Sequence, residues 1–243
     1  MKRMMTYIIW MMTLFTGIST VQASSIPQNP ETSFRAGVKK YEKGQYQEGV
    51  VLFKNALTNM PVPATFDLSL IHYNLGIGYY RLSQPDEAIR SFNEALRTPD
   101  IELQSKAYFN LGNTLYQKAQ QALNDGDVAT GFKTFQSAQT NFLQVMRLKS
   151  EDMDAKINFE LCIVAQVKIM QMVAMAMSRL QQGDQMVGQH KFVEAAQWFK
   201  DNLPVVEKAL SVEPDKKKLF QTMAERSSDV ANIIVGPQGG IAP

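Results

Sequence analysis

Few residues in this chain of 243 could carry out chemistry. It has two histidines, His72 and His190, a single cysteine, Cys162, and four methionines clustered between positions 170 and 177. Hydrolytic metal sites need clustered ligands at fixed spacing, and the two histidines are far apart. Gly76-Ile77-Gly78 is a fragment of a dinucleotide-binding pattern, and the sequence has no phosphate loop and no Gly-x-Ser-x-Gly turn. We therefore predict no catalytic residue, no metal ligand, no cofactor, no small-molecule substrate and no enzymatic activity.

The cysteine and the methionines lie in one long apolar stretch, and we expect them to be packing residues. A free cysteine in such a stretch behaves as a small hydrophobic residue, and a reactive or intermolecular thiol is the alternative. We expect Met170, Met172, Met175 and Met177 to pack in the core and beneath a capping helix. The alternative is a thioether metal site or an adaptable binding surface.

The N-terminus has the pattern of a secretory signal peptide. Two basic residues are followed by an uncharged apolar run up to Ile18, and the small residues Val21 and Ala23 precede a cleavage position. We expect cleavage after Ala23, which makes residues 1–23 the signal peptide and the protein periplasmic. A retained membrane anchor is the alternative, because the run approaches the ~20 residues that span a bilayer.

Cleavage would change the charge balance. It removes Lys2 and Arg3 but no acidic residue, so the 25 basic residues become 23, equal to the 23 acidic ones. A neutral chain lacks the positive charge that drives non-specific nucleic-acid binding, so we predict no nucleic-acid partner. The one basic run, Lys216-Lys217-Lys218, is expected to be a solvated helix face, with binding to an anionic surface or to nucleic acid as the alternative.

Between Glu31 and about Ala231, apolar residues recur every three or four positions, which predicts an all-α protein. Glycine and proline are expected to separate the helices, Gly183 among them, and Pro204 to kink or break one. The predicted organisation is a flexible segment 24–30, helical repeats over 31–212, a capping helix over 213–235 and a disordered tail over 236–243.

An internal repeat is the strongest signal in the chain. Gly37 is followed by Gly44, Gly49, Phe53 and Ala56 at offsets of 7, 12, 16 and 19, and Gly76 is followed by Ser83, Ala88, Phe92 and Ala95 at the same offsets. These residues resemble the tetratricopeptide repeat, a helix-turn-helix unit of about 34 residues. The resemblance implies an all-α solenoid of about four units, and the wider spacing of the later motifs predicts elongated third and fourth hairpins.

A second resemblance lies in the segment Lys149 to Glu160. It is similar to the Asn-Pro-x-Asp-x-Asp-Ala-Lys-x-Asn-x-Glu motif in the exported tetratricopeptide proteins of bacterial aerotolerance operons, the BatC type, with Lys149-Ser150 in place of Asn-Pro. This resemblance covers about residues 100–165. It implies work at the inner membrane beside von Willebrand A-domain membrane proteins, with attachment through partners or an uncleaved signal.

In tetratricopeptide solenoids the first helix of each unit lines a concave groove, and this predicts a protein-binding face. The rings supply apolar anchors, and the asparagine amides can bond a peptide backbone. The predicted residues are Phe34, Val38, Tyr41, Tyr73, Asn74, Ile77, Tyr80, Phe109, Asn110, Asn113, Tyr116 and Asn158, with Ile157, Leu161 and Val164 beside the last.

Two functions fit these observations. The first is a non-enzymatic periplasmic scaffold that binds a protein segment in its groove within a Bat-like membrane complex. The second is an assembly factor for outer-membrane, secretion or cell-wall machinery. The groove could also be filled by the chain itself, through residues 24–33 or the long hairpins.

Overall fold

The structure, a computed structural model, describes residues 28–64 and 66–235. The predicted signal peptide with its cleavage position at Ala23, and the predicted tail 236–243, lie outside these ranges. The described residues form nine α-helices and one short 3-10 helix, with no strand among them, so the all-α prediction is confirmed. The chain divides at residue 65 into two units, which are described separately.

The helices follow one another with short connections. The first unit holds α1 (Pro30–Glu42) and α2 (Tyr46–Thr58). The second unit holds α3 (Leu68–Arg81), α4 (Pro85–Ala95), α5 (Ile101–Asn124), α6 (Val128–Leu148), α7 (Met153–Gly188), α8 (Phe192–Ala209), the 3-10 turn Leu210–Val212 and α9 (Pro214–Val235).

The first unit is one helical hairpin. Asn29 caps α1 by accepting a hydrogen bond from the amide of Thr32, and Pro30 begins the helix, where its missing N–H costs nothing. Both residues belong to the segment expected to be flexible. Gly44 connects the helices at a φ of +74°, a conformation that glycine adopts without steric cost.

Each hairpin is held by one close contact between a glycine on its first helix and a buried phenylalanine on its second. A Cβ atom on Gly76 would lie 2.5 Å from the ring of Phe92, so only glycine fits there. The glycine lets the two helices approach while the ring fills the space around the contact. The other pairs are Gly37 with Phe53, Gly112 with Phe142, and Gly183 with Phe199.

The hairpins of the second unit stack in solenoid order. The pairs α3/α4, α5/α6 and α7/α8 pack internally, and α4 and α6 each pack on the first helix of the next hairpin. The first helices also follow one another, α3 against α5 and α5 against α7. The final helix α9 packs on α8 and α7 and covers the last hairpin.

The third hairpin is elongated without losing this contact. Helices α5 and α6 have 24 and 21 residues, against 14 and 11 in α3 and α4. The turn residue with positive φ comes at Gly126, 14 positions after Gly112, whereas Ser83 follows Gly76 by seven. Seven added residues make about two helical turns, so the buried face keeps its direction.

Helix α7 has 36 residues, and its two halves pack against different neighbouring helices. In its first half, Cys162 packs with Ala138 and Phe142 of α6. In its second half, Val173, Ala176 and Leu180 form a core with α8 and α9. The expected break at Gly183 is wrong, because Gly183 is a packing position inside α7. At Pro204 a kink or a break was expected, and the break is wrong because α8 continues through this residue.

Candidate functional site

An apolar depression in the second unit lies between the first helices α5 and α7 and has a volume of about 590 Å³. We call it the α5–α7 groove. Its floor is made by the buried residues Phe135 and Ile169, and exposed aliphatic side chains of α7 form one wall. The lining residues are Tyr116, Gln120, Leu123, Asn124, Phe135, Leu161, Val164, Ala165, Lys168, Ile169 and Met172. A groove with an exposed apolar wall can bind an apolar protein segment.

The periodicity of the sequence explains this wall. Leu161, Val164, Lys168 and Met172 recur every three or four residues, so they project from one flank of α7. Leu161 and Val164 were predicted to point into the groove, and they are 44% and 48% exposed. Lys168 and Met172 were not predicted, although each follows the predicted positions at helical spacing. Lys168 is the one charged side chain in the lining.

The twelve predicted binding residues are all half-buried. In the first unit, the ring of Phe34 packs on Phe53, and Tyr41 packs on Tyr46 with ring centroids 5.1 Å apart. In the second unit, Tyr116 meets Phe135 edge-on at 5.1 Å. Aromatic pairs of this geometry stabilise the fold beyond their buried area. The rings therefore combine a packing role with the exposed edge that a partner could reach.

Several predicted polar residues bond one repeat helix to the next. Asn110 of α5 donates to the hydroxyl oxygen of Tyr73 on α3 at 3.1 Å, and Gln117 donates to that of Tyr80. Asn158 of α7 donates to the side-chain oxygen of Asn113 on α5 at 3.0 Å. We call these three bonds the interhelix amide bonds.

These bonds change what the asparagines do. Asn74 donates to the carbonyl of Leu70 within its own helix at 2.8 Å. Since the amides of Asn110 and Asn158 bond to a neighbouring helix, we assign their main role to fixing neighbouring helices, whereas the bond of Asn74 supports its own helix. That these residues also contact a partner stays a prediction.

The methionine cluster differs from the expectation. Met170, Met172, Met175 and Met177 are 45%, 43%, 64% and 40% exposed, so the prediction that they pack in the core is wrong. Met172 lines the α5–α7 groove, and Met177 lines a depression shared with α9. Helix α7 is also long and apolar enough to cross a membrane when judged by length and composition alone, although only 22% of its most apolar 18-residue window is buried.

Burial shifts the pKa values of two potentially reactive side chains, Cys162 and His72. Burial raises the pKa of Cys162 to about 12, so its thiol stays protonated and unreactive at neutral pH. Burial also lowers the pKa of His72, opposed by Glu94 and assisted by Arg97. Among the described residues no cluster of histidine, cysteine or carboxylate side chains could hold a metal ion.

Comparison with known families supports the repeat. Residues 69–98, which include α3 and α4, match the family model of the tetratricopeptide repeat. No curated protein is significantly similar to the chain. The protein is thus an all-helical chain that carries a tetratricopeptide repeat, a unit that generally mediates binding between proteins.

Proposed function

We propose that this protein is an exported, non-enzymatic scaffold that holds a segment of another protein in the α5–α7 groove. The observation that carries the proposal is the exposed aliphatic wall of that groove. Leu161 and Val164 stand in water above a buried aromatic floor, and water-exposed apolar surface next to a formed groove is typical of a protein-binding site.

The proposed setting is the periplasm, in a membrane-associated complex of the Bat type with von Willebrand A-domain proteins. The signal-like N-terminus supports export, and the segment from Lys149 to Glu160 supports the Bat assignment. In the structure this segment crosses the start of α7, where Asp152 caps the helix by accepting a hydrogen bond from the amide of Ala155 at 2.9 Å. The motif therefore fixes the helix that forms the groove wall.

The test changes the groove wall without touching the interhelix amide bonds. We expect Leu161→Glu with Val164→Glu to place two carboxylates over the apolar floor and to abolish capture of A-domain proteins from the membrane fraction. The matched control is Val193→Glu, because Val193 is 42% exposed and lies on α8, away from the groove lining. Tyrosines 73 and 80 are poorer targets, since their hydroxyl groups accept the bonds from α5.

Each result of this experiment supports or contradicts part of the proposal. Loss of A-domain proteins in the groove variant and their retention in the control supports the proposal, provided that circular dichroism gives equal melting temperatures. Capture that survives the groove change overturns the assigned site. Recovery of outer-membrane or secretion components in place of A-domain proteins would support an assembly factor. Fractionation and N-terminal sequencing test export, for which the expected first residue is Ser24.

A further inference from the structure

A second apolar surface lies on the other flank of α7. Its residues are spaced by four, three, four and three positions, so they form one line along the helix. We call this line the outer seam, and it consists of Ile163, Val167, Met170, Ala174 and Met177. The four larger side chains are between 39% and 49% exposed. At 100° per residue, the seam lies about 170° around the helix from the groove residues Leu161 and Met172.

The outer seam is uncovered because the last hairpin is asymmetric. Helix α8 has 18 residues and is anchored to α7 through Gly183 and Phe199, so it reaches back only to about Val173. The first half of α7 therefore extends beyond its hairpin partner. Along it, Phe132 and Gln139 of α6 border the depression that contains Ile163, Val167 and Met170, and leave it open.

The composition of α7 makes this exposure unusual. Its most apolar 18-residue window has a mean hydropathy of 1.6, and between Glu160 and Arg179 the one charged residue is Lys168, on the groove side. A helix apolar on all sides is normally buried in a protein core or in a membrane. Here only 22% of the window is buried, so most of its apolar side chains face outward and are exposed to water when no membrane is present.

Basic residues stand at one end of the seam. Lys216 of α9 lines the same depression as Ala174, Met177 and Leu219, which has a volume of about 560 Å³. Lys217 and Lys218 follow it, and none of the three takes part in an ion pair among the described residues. Asp184 shares the depression, and Glu213 and Asp215 precede the lysines, so three carboxylates accompany the three cations and Lys216 is the one basic residue in the lining.

We propose that the outer seam, with Lys216 at its end, docks on a lipid surface. The apolar side chains enter the boundary between headgroups and acyl chains, and Lys216 meets a lipid phosphate. Helix α7 lies along the surface rather than across it, because Cys162, Ile169 and Ala176, on a face about 120° around the helix from the seam, are packed against other helices. Docking of this kind is independent of the α5–α7 groove, which stays on the far flank of the helix.

A local probe tests the proposal in the full chain, where the apolar N-terminal run could bind lipid by itself. Cys162 is the single native cysteine and is fully buried, so an environment-sensitive thiol dye reports on an introduced cysteine. We expect dye on Met170→Cys, and separately on Ile163→Cys, to shift to the blue with phosphatidylglycerol-containing vesicles and to be quenched by spin-labelled acyl chains. Dye on Val193→Cys is expected to do neither.

Two further variants test the chemistry of docking. With dye at Ile163→Cys, we expect Val167→Glu with Met170→Glu to raise the lipid concentration for half-maximal shift on the order of tenfold or more. Changing Lys216 to Glu should raise the lipid concentration for half-maximal shift about fivefold on anionic vesicles, and much less on phosphatidylcholine.

The contrary results are equally specific. Dyes at Met170 and Ile163 that do not respond to vesicles, or that respond no more than dye at Val193, overturn the proposal. A blue shift that depends on protein concentration without lipid, with a dimer mass by light scattering, also overturns it and assigns the seam to a second copy of the chain.

Discussion

The hairpin of α3 and α4 and the hairpin of α7 and α8 are built on the same contact but leave different surfaces. In both, a helix glycine receives a phenylalanine 16 positions later, Phe92 on Gly76 and Phe199 on Gly183. The regular hairpin has helices of similar length, with 14 and 11 residues, whereas α7 is twice as long as α8. The comparison teaches that the glycine contact sets how two helices meet, while relative length sets what remains exposed.

The largest test of this comparison removes the rings. Phe92 and Phe199 are both fully buried, so Phe92→Ala and Phe199→Ala should each lower the free energy of unfolding by about 3–5 kcal/mol. Denaturant titration followed by circular dichroism measures the loss. If Phe199→Ala costs far less than Phe92→Ala, the elongated hairpin is not held by the shared contact.

The next test adds volume on the glycine side. Gly183→Val should force the branched side chain into the ring of Phe199, which already packs edge-on against Phe220, and cost about 1–3 kcal/mol. Gly188→Ala is the matched control, because a Cβ atom there meets nothing within 4 Å. The comparison fails if the two variants have the same midpoint of thermal unfolding.

A smaller effect is expected from the interhelix amide bonds. Asn158→Ala leaves the side-chain oxygen of Asn113 without its donor on α7, which should cost about 0.5–1.5 kcal/mol. Asn74→Ala removes a bond within one helix and should be close to neutral. Equal effects of the two substitutions on the unfolding midpoint would argue against a role for these amides in fixing neighbouring repeats.

The smallest effect concerns pH and the regular hairpin alone. Because burial lowers the pKa of His72 from the ordinary 6.5, the unfolded chain binds a proton more readily than the folded one. Stability contributed by the neutral imidazole should be complete above pH 6.5 and decline as pH falls below it. Unfolding midpoints at pH 7.5 and 5.5 should therefore differ less in His72→Gln than in the wild type, and an unchanged difference would contradict the assignment.

The sequence was sufficient to predict the architecture because the repeat is defined by the spacing of residues that are close together in the chain. Gly76, Ala88, Phe92 and Ala95 predict one hairpin from residues close in the chain, and the added seven-residue steps predict its elongated successor. The same offsets connect Gly183, Ala195 and Phe199, so the last contact was readable too. It was missed because a glycine near the end of a long apolar helix equally suggests a helix break.

The surfaces were harder to predict because exposure depends on neighbours that the sequence does not place. Apolar spacing on α7 fits burial on every side. The short reach of α8 leaves Met170 in water, whereas Met175 lies within that reach on a face that is 64% exposed. The amides of Asn110 and Asn158 were read as binding groups because their partners, Tyr73 and Asn113, lie 37 and 45 residues away. The local sequence pattern could not distinguish a hydrogen bond between two repeats from a hydrogen bond to a ligand.

The lengthened third hairpin has a further consequence for how such a chain can vary. Adding two turns to each of its helices moves the connecting turn outward by about 10 Å, while the contact between Gly112 and Phe142 stays where it was. A paired insertion of this kind lengthens the hairpin without disturbing the contact between the glycine and the phenylalanine. The length of a hairpin and the surface that recognises a partner can therefore change independently in this architecture.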